Sequence, residues 1–343
     1  MLLVLLACGP SPKDTAAPVD TASDADTDTD TDTDTDTDTV ALLDACVPGG
    51  TALTEDWSAA LPGVRGTPVR LLWEDGALAV FEASGADVET LHVFDLPAPA
   101  AAATDLAARW SVSADTSFAG LAFPTDTVAV GDGATLRVFD RATGATLATG
   151  TADASITALA ADGAGVLGGT TGTPFLWGSA GLRHDALYGA SDAGAVGRTT
   201  EGYWSATDPV TPSVSFSDGG ARTDTTVPAF GAAVDVVRRP AGGAWVLGGP
   251  ESYAWIAAFD GSGALVASTQ TYVGITQAVG APASAYAWSG FREGGIVAFD
   301  DAGFTNLYST RSADMTAVAI DPDGRWLLTA HPDGELRRWS CVP

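Results

Sequence analysis

One short phrase returns along the chain, an apolar run that ends in an aromatic residue and is most often followed by Asp. It stands as Val93-Phe94-Asp95, Val138-Phe139-Asp140, Leu176-Trp177-Gly178, Ser215-Phe216-Ser217, Ala258-Phe259-Asp260, Ala298-Phe299-Asp300 and Arg338-Trp339-Ser340. The aromatic positions lie 45, 38, 39, 43, 40 and 40 residues apart. A unit of about forty residues made of short strands and tight turns cannot bury its own faces, so it must stack on its neighbours; that period is the mark of a β-propeller blade. Seven returns predict an all-β, seven-bladed propeller over 46–343. Gly (40) and Pro (19) punctuate the chain too often for a helical bundle.

Turn chemistry places the strands within a unit. In the last one, Met315 to Ile320 reads as a first strand, Asp321-Pro322-Asp323-Gly324 as a turn and Arg325 to Thr329 as a second strand. Pro332-Asp333-Gly334 then turns the chain into a third, Glu335 to Trp339. The sequence stops at Pro343, which leaves this unit without an outer strand. Glu55-Asp56-Trp57-Ser58, ahead of the first unit, echoes the fourth strand of unit one, Ala108-Arg109-Trp110-Ser111. The N-terminal strand is therefore expected to cover the open edge and close the ring.

Two cysteines support the closure. Cys46-Val47-Pro48 and Cys341-Val342-Pro343 are identical tripeptides that flank the strands ring closure would join, so a Cys46–Cys341 disulfide is expected. The alternative is two free buried thiols. A disulfide requires an oxidising compartment.

The last unit resembles a WD-repeat blade, through Asp321-Pro322-Asp323-Gly324, Thr329, Asp333-Gly334 and Trp339. The resemblance implies that Thr329, Asp333 and Trp339 belong to a hydrogen-bonded set, which that family completes with a histidine from a Gly-His pair ahead of the first strand. No Gly-His occurs in this chain, so the set is expected to be incomplete. Leu136 to Ala145 and Ile256 to Leu265 are similar instead to blades of quinoprotein-type and YVTN-type propellers. Quinoprotein dehydrogenases hold their cofactor beside adjacent cysteines, and this chain has no adjacent pair, so no cofactor is expected.

The first forty-five residues are of another kind. Leu5-Leu6-Ala7-Cys8 resembles the lipobox of a bacterial lipoprotein, which implies that 1–8 is the signal segment and that Cys8 carries the lipid. The apolar run before it is short and has no Lys or Arg ahead of it, which suggests a start codon farther upstream. Residues 9–45 carry seven Asp-Thr pairs from Asp26 to Thr39 and eleven Asp against one base, Lys13. Self-repulsion and the lack of apolar residues make this stretch a disordered linker, and stretched at ~3.3 Å per residue it spans about 120 Å. Alternating carboxylates suggest calcium, but the turn-forming Gly and final bidentate acid of a calcium loop are missing.

The net charge is −27, with 16 basic residues against 43 acidic. Phosphate neutralisation has no footing here, so no nucleic-acid partner is expected. Membrane association is expected through the lipid only, because an anionic surface repels the body and no apolar run approaches 18 residues. His92, His184 and His331 fall in different units without a metal-ligand spacing, so no metal site is expected. Gly189-Ala190-Ser191-Asp192-Ala193 lacks the last Gly of a nucleophile elbow. Most of the ten tryptophans fall in predicted strands and read as wedges between blades. Tyr203-Trp204 and Tyr286-Ala287-Trp288 are candidates for a stacking platform, and Arg238 and Arg239 for an anion contact on an acidic body.

Every enzyme motif lacks a required member, so no catalytic residue is assigned. The sequence reads as a monomeric, lipid-anchored propeller of the bacterial envelope, on the outer membrane or cell surface, that binds protein or polymer partners. The alternative is a lactonase-like hydrolase with its site at the central channel.

Overall fold

The computed structural model describes residues 42–96, 106–207, 212–227, 231–249, 253–271, 274–291, 294–309 and 314–342. Cys8, the expected signal segment and nearly all of the expected linker lie outside the described residues.

Seven four-stranded antiparallel sheets follow one another in a ring. β1 (Thr54–Ala60) precedes the first blade. Blade 1 comprises β2 (Thr67–Glu74), β3 (Ala77–Ser84), β4 (Asp87–Asp95) and β5 (Ala107–Ser113); blade 2 comprises β6 (Phe118–Ala122), β7 (Thr127–Asp132), β8 (Thr135–Asp140) and β9 (Thr146–Thr151). Blade 3 holds β10 (Ile156–Asp162), β11 (Gly165–Thr170), β12 (Phe175–Gly178) and β13 (Gly181–His184); blade 4 holds β14 (Ala193–Arg198), β15 (Tyr203–Thr207), β16 (Ser213–Ser217) and β17 (Arg222–Thr226). Blade 5 is β18 (Ala233–Arg238), β19 (Ala244–Gly248), β20 (Ala254–Phe259) and β21 (Leu265–Thr271), and blade 6 is β22 (Ile275–Val279), β23 (Ala287–Phe291), β24 (Gly295–Phe299) and β25 (Phe304–Ser309). Blade 7 consists of β26 (Ala317–Ile320), β27 (Trp326–Ala330), β28 (Glu335–Ser340) and, on its outside, β1. Helix is limited to two short 3-10 turns, Leu43–Cys46 and Ala186–Tyr188, among the described residues.

Burial follows position in the blade. The second strands β19, β23 and β27 are buried at every residue and β3 at all but its last, because a neighbouring blade covers each face. Their sequences are accordingly near-continuous apolar runs rather than alternating ones. The outer β9, facing solvent, has no buried residue.

The recurring aromatic phrase falls on the third strand of every blade, and its two positions have separate tasks. The ring wedges between blades: Phe94 packs with Trp57, Leu71 and Leu328 across blades 7 and 1, and Phe259 with Trp204 and Val246 across blades 4 and 5. Burial of a ring of this size stabilises by roughly 2–3 kcal/mol. The following Asp closes the turn to the fourth strand. Asp140 Oδ1 accepts from the Thr143 amide and hydroxyl, both at 2.7 Å, and Asp260 Oδ1 accepts from the Ser262 amide at 2.9 Å and the Ala264 amide at 3.1 Å. The glycine that follows has φ +71° at Gly144 and +84° at Gly263. A Cβ there would meet the Trp110 ring at 2.7 Å or Phe216 at 2.8 Å, so both geometry and space call for glycine.

The ring closes as the sequence suggests. β1 pairs antiparallel with β28, placing Trp57 opposite Arg338. Asp56 accepts from Arg338 at 3.1 Å and from the Ser340 hydroxyl at 2.6 Å, while the Arg338 guanidinium lies over the Trp57 and Trp326 rings. Cys46 and Cys341 form the expected disulfide, with Cα atoms 5.7 Å apart.

The fold begins before Cys46. Leu43 is fully buried and its amide donates to the Gly324 carbonyl at 2.9 Å. Asp44 accepts from the Ser284 hydroxyl at 2.7 Å and the Ala285 amide at 2.5 Å. The boundary expected at 45/46 thus falls inside the folded part, because a single buried leucine in an acidic stretch is too weak a signal to mark a docked segment.

Candidate functional site

The first strand of each blade lines the central channel, and three side chains cross it. Arg70 on β2 forms an ion pair with Asp235 on β18, between blades 1 and 5. The other Asp235 oxygen accepts from the Ala278 amide at 2.9 Å. Gln277 on β22 donates to the Leu71 carbonyl at 2.7 Å and accepts from the Leu71 amide at 3.0 Å, which ties blade 6 to blade 1. An inner strand is an unpaired sheet edge, and Gln277 satisfies the part of β2 that would otherwise be buried without partners.

These bridges leave a recess at each end. One, of about 380 Å³, opens at the starts of the inner strands and is bordered by Thr67, Val69, Ile275, Asp314 and Met315. The other, of about 270 Å³, opens at their far ends. Its walls are apolar, formed by Leu121, Phe123, Leu159, Val196, Val237 and Ile320, and its titratable groups are Arg70, Glu74, Asp235 and Arg238. Burial raises the Glu74 pKa; the Arg141 guanidinium opposes this and Asp75 and Asp126 add to it.

Arg238, the last residue of β18, is exposed at this second mouth. Arg239 is not available: its guanidinium grips Asp301, which also accepts from the Trp245 indole at 2.9 Å. That hydrogen bond to Arg239, ahead of the opposing effect of burial, holds the Asp301 carboxyl below its ordinary range. Trp204 and Trp288 are fully buried, on β15 and β23, with their indole N–H groups donating at 3.0 Å to Thr199 and Ser284. The stacking platform expected from these two rings is therefore absent: both stand on second strands, whose faces are covered by neighbouring blades. Alternation within a short strand does not show which position in the blade the strand takes.

Two buried polar relays centre on histidines; the sequence pointed only to the Thr329–Trp339 link of the first. In blade 7 the Trp339 indole donates to the Thr329 hydroxyl at 2.9 Å, Thr329 lies 3.2 Å from His331 Nε2, and His331 Nδ1 donates to the Asp314 carbonyl at 2.9 Å. Of the set the resemblance implies, Thr329 and Trp339 are joined and a histidine from the turn between β27 and β28 extends them, while exposed Asp333 stands outside and accepts from the Glu335 amide at 3.1 Å. Burial, then the Arg337 guanidinium, lowers the His331 pKa. In blade 1, Ser111 Oγ lies 2.9 Å from His92 Nδ1 and Glu82 Oε2 lies 2.6 Å from His92 Nε2, while Glu82 Oε1 accepts from the Arg65 and Gly66 amides. Burial raises the Glu82 pKa, but the hydrogen bonds from His92, Arg65 and Gly66 outweigh it and the net shift is downward. The Ser–His–Glu order has the connectivity of a nucleophile, base and orienting carboxylate. Here it runs through three adjacent strands to the loop before β2 and ties the strands to that loop, and none of the three side chains borders either recess. His184 Nδ1 donates to the Thr173 carbonyl at 2.9 Å. Among the described residues no three His, Cys, Asp or Glu side chains converge as metal ligands.

No family model matches the chain, and no curated protein matches it. Solved structures do: a chain of a structure titled "Crystal Structure of Mitotic Checkpoint Complex" superposes with a TM-score of 0.65 at 16% identity, over 84% of this chain and 95% of that one. At that identity the likeness establishes the propeller and nothing finer. With 1434 solved chains matching, the architecture alone selects no activity.

Proposed function

We propose that the protein is a propeller lipoprotein of the bacterial envelope, tethered through Cys8, set off from the membrane by the acidic stretch 9–45, and used as a docking module for a protein partner. The observation that carries the docking reading is the braced channel. Arg70–Asp235 and Gln277–Leu71 fix the inner strands against one another and leave two recesses on a rigid ring. Such a platform binds with little ordering cost. A solved propeller of similar fold belongs to a multi-protein assembly, which is consistent with this use. The recess with Arg238 is the proposed contact face, since it joins apolar walls to an open cation.

Lys13 is the sole lysine, so the propeller offers no lysine amine to amine-directed crosslinkers. A photo-reactive residue placed at Ala161, exposed at that recess, is expected to give a discrete adduct in envelope preparations. The same residue at Leu147, 57% exposed on the outer β9, should give none. Adducts of equal strength from both positions, or none from Ala161, would refute the contact face. Cys8→Ser tests the tether: the protein should leave the membrane fraction.

A further inference from the structure

We infer that the 270 Å³ recess takes the free C-terminal carboxylate of a polypeptide ending in an apolar residue, with Arg238 as the carboxylate's partner. This inference rests on the docking function proposed above and names the chemistry of the docked segment.

Arg238 is one of four described arginines outside any ion pair, with Arg65, Arg183 and Arg325, and of the four it alone borders this recess. Nine arginines among the described residues form ion pairs with Asp or Glu, as expected in a chain with 43 acids and 16 bases. The Arg238 side chain has no hydrogen-bond or ion-pair partner among the described residues, although it stands at the edge of a cavity. The other charges at the recess are engaged. Arg70 and Asp235 neutralise each other at depth, and Glu74 lies within the field of Arg141. One open cation remains.

The walls and the size define the rest of the ligand. Leu121, Phe123, Val196, Val237 and Ile320 present no charge, so the group below the anion must be apolar to gain from burial. A volume of about 270 Å³ falls just under the range of a whole ligand pocket, and admits one end of a chain rather than a folded surface. A single open cation at a recess that Glu74 also lines disfavours a dianion such as a phosphate, and selects a monoanion. Inner strands pair on one side only, so beyond the groups of Leu71, Ala278 and Val318 that Gln277 and Asp235 hold, their channel-side edge can meet the amides of an extended terminus.

The probes are two hexapeptides, fluorescein-labelled at the N-terminus and ending in Leu, one with a free carboxylate and one with a carboxamide. Titrated with the full chain and read by anisotropy, the acid should bind at least about 10-fold more tightly than the amide, the scale of one charge-assisted hydrogen bond. Arg238→Gln should bring the acid down to the level of the amide. Arg238 is exposed, so the fold and melting temperature should be retained. Glu74→Gln should strengthen the acid, since a repelling carboxylate is removed. Equal affinities of acid and amide, failure of both to bind, or an Arg238→Gln variant that binds the acid unchanged would overturn the inference. A discrete adduct from Ala161 in the same preparation would then leave the docking function standing without this ligand, whereas loss of that adduct sinks the function itself.

Discussion

Removal of the Cys46–Cys341 bond tests topology and compartment together. The bond closes a loop of 295 residues, for which the chain-entropy model gives about 5–6 kcal/mol of stabilisation from restriction of the unfolded chain. Observed values for native disulfides more often fall near 2–4 kcal/mol. Unfolding a ring of roughly 300 residues carries an entropy of about 0.6 kcal/mol/K near the midpoint, so the melting temperature should fall by about 3–6 °C, and by at most about 9 °C. The perturbation is Cys46→Ala with Cys341→Ala, since both sites are buried and Ser hydroxyls would be left without partners. Vacated sulfur volume adds a cavity cost, so reductant on the native protein serves as the second arm. Both arms should lower the midpoint and leave the folded circular dichroism spectrum unchanged. A midpoint unmoved after thiol titration shows two free thiols would refute the claim that the bond holds the seam, and mapping that finds Cys8 joined to either partner would refute the closure and the lipid assignment.

Gly144→Ala should destabilise by about 1–3 kcal/mol in denaturant titration, because φ is +71° there and the added methyl meets the Trp110 ring; a neutral outcome would contradict that packing. His331 has a folded pKa below its unfolded value near 6.5, so the unfolded chain takes up the proton first as pH falls and stability drops below about pH 6.5; His331→Gln should flatten that part of the stability–pH curve. Asp333, Glu335, Arg337 and the Asp314 carbonyl face this imidazole, and an unchanged slope would remove it from the relay. Asp235→Asn should cost about 1–3 kcal/mol by calorimetry, a figure kept low because the Arg70 side chain is 31% exposed and water can take over the lost carboxylate; no loss would mean that the channel is not braced by this pair.

The sequence showed most where one position had one task. The aromatic phrase marked the third strand of all seven blades because the ring is wanted between blades, and in four of them the next residue, Asp140, Ser217, Asp260 or Asp300, closes a turn. Matched Cys46 and Cys341 marked the seam. Contacts across the ring were not visible, since Arg70 and Asp235 stand 165 residues apart and Gln277 and Leu71 stand 206 apart, with no local pattern to join them. Trp204 and Trp288 misled for the same reason: which strand faces solvent is decided by the stacking of blades, and the two dipeptides carry no record of it. Arg238 and Arg239 are neighbours in one arginine pair, yet a carboxylate from blade 6 engages one and leaves the other at the mouth.

The proposed docking of a partner at the Arg238 mouth of the channel is tested by hydrogen–deuterium exchange of the intact chain, with and without the partner captured through Ala161. Protection is expected at the far ends of β10, β18 and β22 and in the turns that follow them, and should vanish in the complex formed with Arg238→Glu. Protection confined to the outer strands β9, β17 and β21, or protection at the mouth that persists in that variant, would contradict it.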